Sequence, residues 1–398
     1  MHELERAEFD LAVPAPNGLR RGRTTGSCAT AAVKAALTML LRGARIDKAE
    51  VSLPDGRHYL VVPIQDVQWL DAGDDKRVRA EVLKDGGDDP DNTHGATIFA
   101  EVARNDAGEI RFLAASGVGT ATRPGLRVAV GEPAINPVPR RMMRLAVAEV
   151  LEELHMQGET GFDLAIGCED GQQIARKTFN PRLGIVGGIS ILGTSGIVEP
   201  MSLASWIASI EVYIRVALAD ESRPNGIAAS VAYLPGKIGR TFARDELGLP
   251  EARSVQIANF LGDALDFTQA ALAEQGGELE VLWLAGHPGK LAKVLDGVWD
   301  THSGKSNMAM GGVARVAAEL ATELGFSGAL IAGIESANTV EAAIEHLRNE
   351  PGAAAAVAAL WRAIEARIAA LAQARVPSVR RVEVRLFDLD GNLLGGRV

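Results

Sequence analysis

A carboxylate, an imidazole and two hydroxyls stand together at Asp300-Thr301-His302-Ser303. An imidazole titrates near neutral pH and a neighbouring carboxylate can orient it, so Asp300 and His302 suit proton transfer. Upstream, Gly286-His287-Pro288-Gly289-Lys290 follows an apolar run, residues 278–285, that reads as a strand. Ligands of open α/β sheets gather at such strand ends. Each histidine could equally be a satisfied polar residue at the end of an element. Ser303 follows His302 directly, a layout ill-suited to a hydrolytic Ser/His pair. The chain has no Gly-x-Ser-x-Gly elbow, no Walker A loop and no Gly-x-Gly-x-x-Gly fingerprint.

A second candidate is Leu183–Ser202, LGIVGGISILGTSGIVEPMS, with no charged residue between Arg182 and Glu199. Ile185, Val186, Ile189, Ile191 and Leu192 are the branched residues of a buried strand. Gly193-Thr194-Ser195-Gly196 reads as a tight turn, and helical spacing resumes from Met201. Strand, glycine turn and helix together offer backbone N–H groups to a ligand. The same glycines would also serve a core strand that only needs close packing. In LRRGRTTGSCATAAVKAALTMLLRG, Thr24, Thr25 and Ser27 can cap a helix that runs to about Leu41 and stops at Gly43. Arg20, Arg21 and Arg23 flank its start, a combination that favours a carboxylate or phosphate. A capped helix with a solvated basic flank is the plainer alternative. Finally, Asp85, Asp88, Asp89, Asp91 and His94 crowd one loop with glycines. Such donors can hold a metal. Here the spacing fits no EF-hand and one histidine is thin for zinc, so a polar capping or substrate-facing loop is expected, with no protein-bound metal.

These residues need elements to carry them, and 398 residues leave room for two domains of about 100–200 residues each. Apolar residues make up 47% of the chain, ample for large cores. The formal charge of −10 argues against nucleic acid as a partner. Cys28 and Cys168 are the only cysteines, which excludes a disulfide framework or a Cys-rich metal site and fits a reduced cytoplasmic setting. The polar start MHELERAEFD is no signal peptide, and Leu183–Val198 is too short and glycine-rich to span a membrane. No membrane partner is expected.

Strands are read at residues 50–70 (two, around Pro54-Asp55-Gly56), 78–83 and 109–114. A helix runs from Pro139 to about Met156. Gly158 to Gly161 marks a boundary, which gives an N-terminal α+β domain over 1–157. Within 158–398, strands at 183–192, 226–233, 278–285 and 328–334 alternate with helices. Those are near 201–219, 237–246, 309–324, 337–348 and 352–374, before a terminal strand or hairpin at 382–396. Alternation argues for a parallel, buried sheet. The expected fold class is two-domain α/β, with a smaller N-terminal α+β domain and a C-terminal Rossmann-like, three-layer α/β/α domain.

Seven stretches together resemble one family: RTTGSCATAAVKAA, DGGDDPDNTHG, SGVGTATRPGL, GEPAINPVPR, LGIVGGISILGTSGIVEPMS, NFLGDALD and GHPGKLAKVLDGVWDTHS. They occur in order over residues 19–305 and resemble CbiD, the cobalt-precorrin-5B C1-methyltransferases of cobamide (vitamin B12) synthesis. The resemblance implies a CbiD-like fold and methyl transfer from S-adenosylmethionine to ring carbon C1 of a cobalt-containing tetrapyrrole. The cobalt belongs to the substrate. For the acetate and propionate groups of that substrate it nominates Arg21, Arg23, Thr24, Thr25, Ser27 and Arg140, with Arg141 beside it, and it adds Asp88, Asp89 and His94 of the acidic loop as further substrate-binding residues. For the methyl donor it nominates Gly193, Thr194, Ser195 and Gly196. Gly286, His287 and Gly289 would be the opposite lip of one crevice, at the carboxyl edge of one sheet. Asp300, His302 and Asp263 are nominated to remove a proton. A homo-oligomer is compatible with all of this. The competing readings are a non-enzymatic corrinoid carrier and a nucleotide-dependent small-molecule kinase that uses the RTTGSCATA helix start for phosphate.

Overall fold

Thr24 caps helix α1 (Thr25–Arg42), its hydroxyl accepting from Ser27 N at 3.1 Å, and Gly43 ends the helix at φ 71°. The computed structural model describes residues 6–70, 76–302 and 309–396, so Ser303 lies outside the described residues. The chain forms two compact units, Met1–Leu203 and Ala204–Val398. The expected boundary at 157/158 therefore moves to 203/204, and the first unit is not the smaller one. The cause is strand Phe162–Cys168, which pairs along its length with Thr97–Arg104 of the first unit.

The first unit contains β1 (Lys48–Ser52), β2 (His58–Pro63), β3 (Asp66–Trp69), β4 (Arg77–Leu83), β5 (Thr97–Arg104), β6 (Ile110–Ala114), α2 (Pro137–Glu153) and β7 (Phe162–Cys168). Five of these strands make one sheet in the order β3-β4-β5-β7-β6. β7 runs antiparallel to β5 and parallel to β6, while β1 and β2 form an antiparallel pair. α1 lies against β4, β5 and α2. It is buried on every side from Thr25 to Val33, as its alanine-rich sequence permits. Cys28 and Cys168 are both free and buried in this unit, and burial pushes each thiol up to about 12.

Residues 183–198 correct the expectation of a single core strand. They form three two-residue ladders. Ile185–Val186 pairs with Thr120–Ala121, Gly188–Ile189 with Gly117–Val118, and Ile197–Val198 with Gly22–Arg23. Gly193 takes φ 140° and Gly196 φ 85°, and these turns break the apolar run before it can extend as a strand.

The second unit contains α3 (Leu203–Leu218), β8 (Ser230–Leu234), β9 (Ser254–Gln256), α4 (Leu261–Gln275), β10 (Leu279–Gly286), α5 (Met310–Glu319), α6 (Gly328–Ser336), α7 (Val340–Arg348), α8 (Ala354–Arg375) and β11 (Val379–Leu386). Its sheet is wholly parallel, in the order β9-β8-β10-β11. Val231, Tyr233, Leu282 and Leu284 face the main core, which the long helices supply. Ala232, Leu234 and Ala285 face a smaller core closed by Ile238, Phe242, Ala243 and Leu249. Residues 328–334 are helix α6 rather than a strand. Ser327 caps it, accepting from Leu330 N at 3.1 Å. A short apolar run does not separate strand from helix, but a cap does. Among the described residues, no helix is long and apolar enough to cross a membrane.

Candidate functional site

In the first unit the nominated residues converge, but largely on one another. Residues 190–196 fold over the start of α1. Gly26 N donates to Leu192 O at 3.0 Å, and Ser27 Oγ donates to Gly196 O at 2.7 Å. Thr25 Oγ1 accepts from Leu192 N at 2.9 Å. A β-carbon on Gly193 would lie 2.7 Å from Thr24 Oγ1. Thr24, Thr25 and Ser27 are thus buried, with their hydroxyls engaged by the protein. Of the turn itself, Thr194 and Ser195 remain exposed, and Ser195 bonds within the turn to Ile197.

The flanking cations are also engaged. Arg21 reaches Glu199 at 2.7 Å and the carbonyls of Val13 and Pro14 at 3.0 Å. Arg140 holds Glu132 and the carbonyls of Ile135 and Pro133. Arg23 donates to Val61 O at 3.3 Å, while its Nε is buried without a partner. The acidic loop is braced in the same way. Arg20 grips Asp85 and holds its carboxyl below the usual carboxylate range. Asp88 accepts from Arg20 N, Asp89 from Met201 N, and His94 Nδ1 from Gly86 N. Asp91 pairs with the fully buried Lys84 at 2.6 Å. Burial works against the Asp91 charge, and the Lys84 ammonium outweighs it, keeping Asp91 below its ordinary range. No group of three or more His, Cys, Asp or Glu among the described residues could hold a metal ion.

The second unit assembles a different set. Its strand order reverses between β8 and β10, so a crevice opens at their carboxyl ends, where open parallel sheets place ligands. The loop after β8 begins Pro235-Gly236-Lys237-Ile238-Gly239, and the loop after β10 carries Pro288-Gly289-Lys290. These backbones approach closely: a β-carbon on Gly239 would lie 2.4 Å from Ala285 O. Lys290 Nζ donates to Pro235 O at 2.9 Å and to Ala258 O at 3.4 Å, tying three loops together. Burial and the nearby Lys293 ammonium lower the Lys290 pKa. His287 Nδ1 accepts from Gly289 N at 3.0 Å, so its Nε2 carries the proton toward Glu341 at 2.9 Å. His287 therefore caps the turn that follows β10, with both ring nitrogens engaged.

Beside this loop, Asn259 Nδ2 donates to Asp300 Oδ1 at 2.9 Å, and His302 N donates to the same oxygen at 3.3 Å. Gly262 N donates to Trp299 O at 3.2 Å, which places Asp263, in the first turn of α4, next to the 299–302 segment. Asp263, Asp300 and His302 are thus brought into one neighbourhood. Gly193–Gly196 and Gly286–Gly289 are not: they belong to different units and different sheets, which corrects the shared-sheet expectation. Two residues at this crevice escaped the sequence reading, and a third was given no role there. Gln256, the last residue of β9, has a buried Nε2 with no partner. Ala258 sits at φ 52°, strained for a residue with a β-carbon. Lys290, read from the sequence only as part of the turn after β10, is the loop clamp. The repeated Pro-Gly-Lys after two successive apolar runs was the available signal.

Fold and loops together define a two-unit, mixed α/β protein with its ligand-competent loops at strand and helix ends. Family models described as CbiD and as the CbiD C-terminal domain match residues 13–200 and 300–397. The chain belongs to the CbiD family. A cobalt-precorrin-5B C(1)-methyltransferase of Ralstonia nicotianae is 62% identical over 99% of this chain and 98% of the relative. One of Chromobacterium violaceum is 60% identical over 98% of both. A crystal structure of the cobalamin biosynthesis protein CbiD from Archaeoglobus fulgidus is 26% identical, covering 73% of this chain and 84% of that one, at a TM-score of 0.38.

Proposed function

We propose that this chain methylates C1 of cobalt-precorrin-5B in cobalamin biosynthesis, with S-adenosylmethionine held in the crevice of the second unit. The reaction follows from the family and from relatives at 60% identity or more across nearly the whole chain. The observation that carries the donor site is the buried, unpartnered Nε2 of Gln256 at the end of β9. An unpaired buried donor is costly unless a ligand completes it. The wholly parallel sheet, with its first and third strands adjacent, supports a Rossmann-like reading of this unit. The strain at Ala258 points to the same place.

When bound, S-adenosylmethionine supplies a methyl group already activated by its sulfonium. The protein's part is then alignment and exclusion of water. Lys290 fixes the loops after β8, β9 and β10 in one geometry, and Lys293 does the same for Thr301, whose carbonyl it meets at 3.1 Å. Alkylation of the ring carbon leaves a proton to be removed, and His302, whose backbone N–H donates to Asp300, is assigned that step, with Asp263 adjacent. The test is anaerobic incubation with cobalt-precorrin-5B and methyl-labelled donor. Label on the macrocycle is expected; its absence from a folded, donor-binding protein would end the reading. Within it, His302→Ala should lower turnover at saturating substrate by about 100-fold or more. Unchanged turnover removes His302 from the mechanism.

A further inference from the structure

Residues 110–131, with Arg123 and Arg127 besides the Asp163-paired Arg111, and residues 171–198, with Arg176, Lys177 and Arg182, contain neither Asp nor Glu. The fold lays them side by side. Gly117–Val118 pairs with Gly188–Ile189, and Thr120–Ala121 with Val186–Ile185. Thr122 then binds Gly184 O through both N and Oγ1, at 2.8 and 2.6 Å. Arg123 crosses the seam to donate to Arg182 O at 3.3 Å. Its stem passes over Gly184, where a β-carbon would lie 2.5 Å from Arg123 Cγ. Around this seam Phe179 (47%) and Val186 (61%) are exposed, with the Arg182 guanidinium 5.6 Å from the Phe179 ring centre. Arg176 and Lys177 are exposed.

The neighbouring acidic loop spends part of its charge on cations of its own. Asn92 Nδ2 donates to Lys177 O at 3.3 Å, so the loop is adjacent. Yet Asp85 is held by Arg20, Asp88 and Asp89 accept from backbone N–H groups, and Asp91 pairs with Lys84. Asp85 and Asp91 face cations of their own, while Arg176 and Lys177 stand exposed a few residues from the exposed Phe179 ring. Positive charge gathered on one face of a protein of net charge −10 selects for an anion. An exposed aromatic ring beside it selects for a flat apolar body.

We propose that this face of the first unit, built by Arg123, Arg176, Lys177, Phe179 and Arg182, receives the side-chain carboxylates and ring edge of the tetrapyrrole substrate. The ligand's identity rests on the function proposed above; the charge selectivity does not. The full-length protein is titrated with cobyrinic acid, whose side chains end in carboxylates, and with a corrinoid in which they are amidated. The acid is expected to bind about tenfold tighter or more, and the gap should narrow as salt rises from about 50 to about 200 mM. The double variant Arg176→Glu/Lys177→Glu should lose about tenfold for the acid and stay within about twofold for the amide. Its affinity for S-adenosylmethionine should not change. Lys177→Ala serves as a milder variant should charge reversal disturb folding, with a smaller loss in the same direction. Equal binding of acid and amide by the wild type, or full affinity of the variants for the acid, overturns the proposal. Charge selectivity without methyl transfer would overturn the reaction instead, so the two failures are distinguishable.

Discussion

At the scale of single residues, two buried polar groups make opposite predictions. Gln256 Nε2 is unpartnered, so the protein loses nothing when it goes. Gln256→Leu should leave thermal stability unchanged or slightly raised and weaken S-adenosylmethionine binding by about 1–3 kcal/mol, read by calorimetry. Undiminished binding would move the donor elsewhere. Glu365 of α8 accepts from Leu386 N at 2.7 Å, and burial pushes its carboxyl from 4.5 up to about 7. A raised folded-state pKa means the native protein binds the extra proton. That stability is fully present below pH 4.5 and disappears as pH rises through about 7. Glu365→Gln, which keeps the acceptor without the charge, should gain melting temperature over the wild type as pH goes from about 5 to about 8. A constant difference would refute the assignment. Neither property was legible in the sequence. Glu365 reads there as a charge interrupting an alanine-rich helix, and its burial is set by the packing of α8 against β11.

At the scale of elements, legibility followed local signals. α1 was visible from its hydroxyl cap to Gly43, because both ends are encoded within a few residues. β10 and α8 also fell close to their expected spans. The stretch 183–198 was misjudged because its branched residues promised a strand. Its partners, at residues 22–23, 117–118 and 120–121, are set by tertiary structure that no local pattern shows. The consequence is testable at Gly193. Its φ of 140° and the 2.7 Å approach to Thr24 leave no room for a methyl group. Gly193→Ala should destabilise the first unit by about 1–3 kcal/mol through the α1 cap, followed by denaturant unfolding. A neutral result would mean that the turn is not tied to the helix start.

At the scale of the whole molecule, each unit has a large hydrophobic core of its own. The sequence revealed two domains but not where they divide, because Gly158–Gly161 has the composition of a linker. Whether such a stretch is one depends on what the next strand pairs with. Phe162–Cys168 pairs with β5, so the glycines form a turn inside the first unit. Trp361, 1% exposed, anchors the second core. Trp361→Ala should cost about 3–5 kcal/mol there. Hydrogen exchange should then quicken across 204–396 more than in α1. Equal loss of protection in α1 would contradict separate cores.

The two cysteines have a practical corollary. Both sit in the first unit and the second has none. With their pKa pushed up to about 12, neither is a thiolate at neutral pH while the fold is closed. Alkylation by iodoacetamide thus becomes a stopwatch for the opening of one half of the molecule. Each adduct counted by mass spectrometry records an excursion of α1 or β7 into solvent, and the other half stays silent.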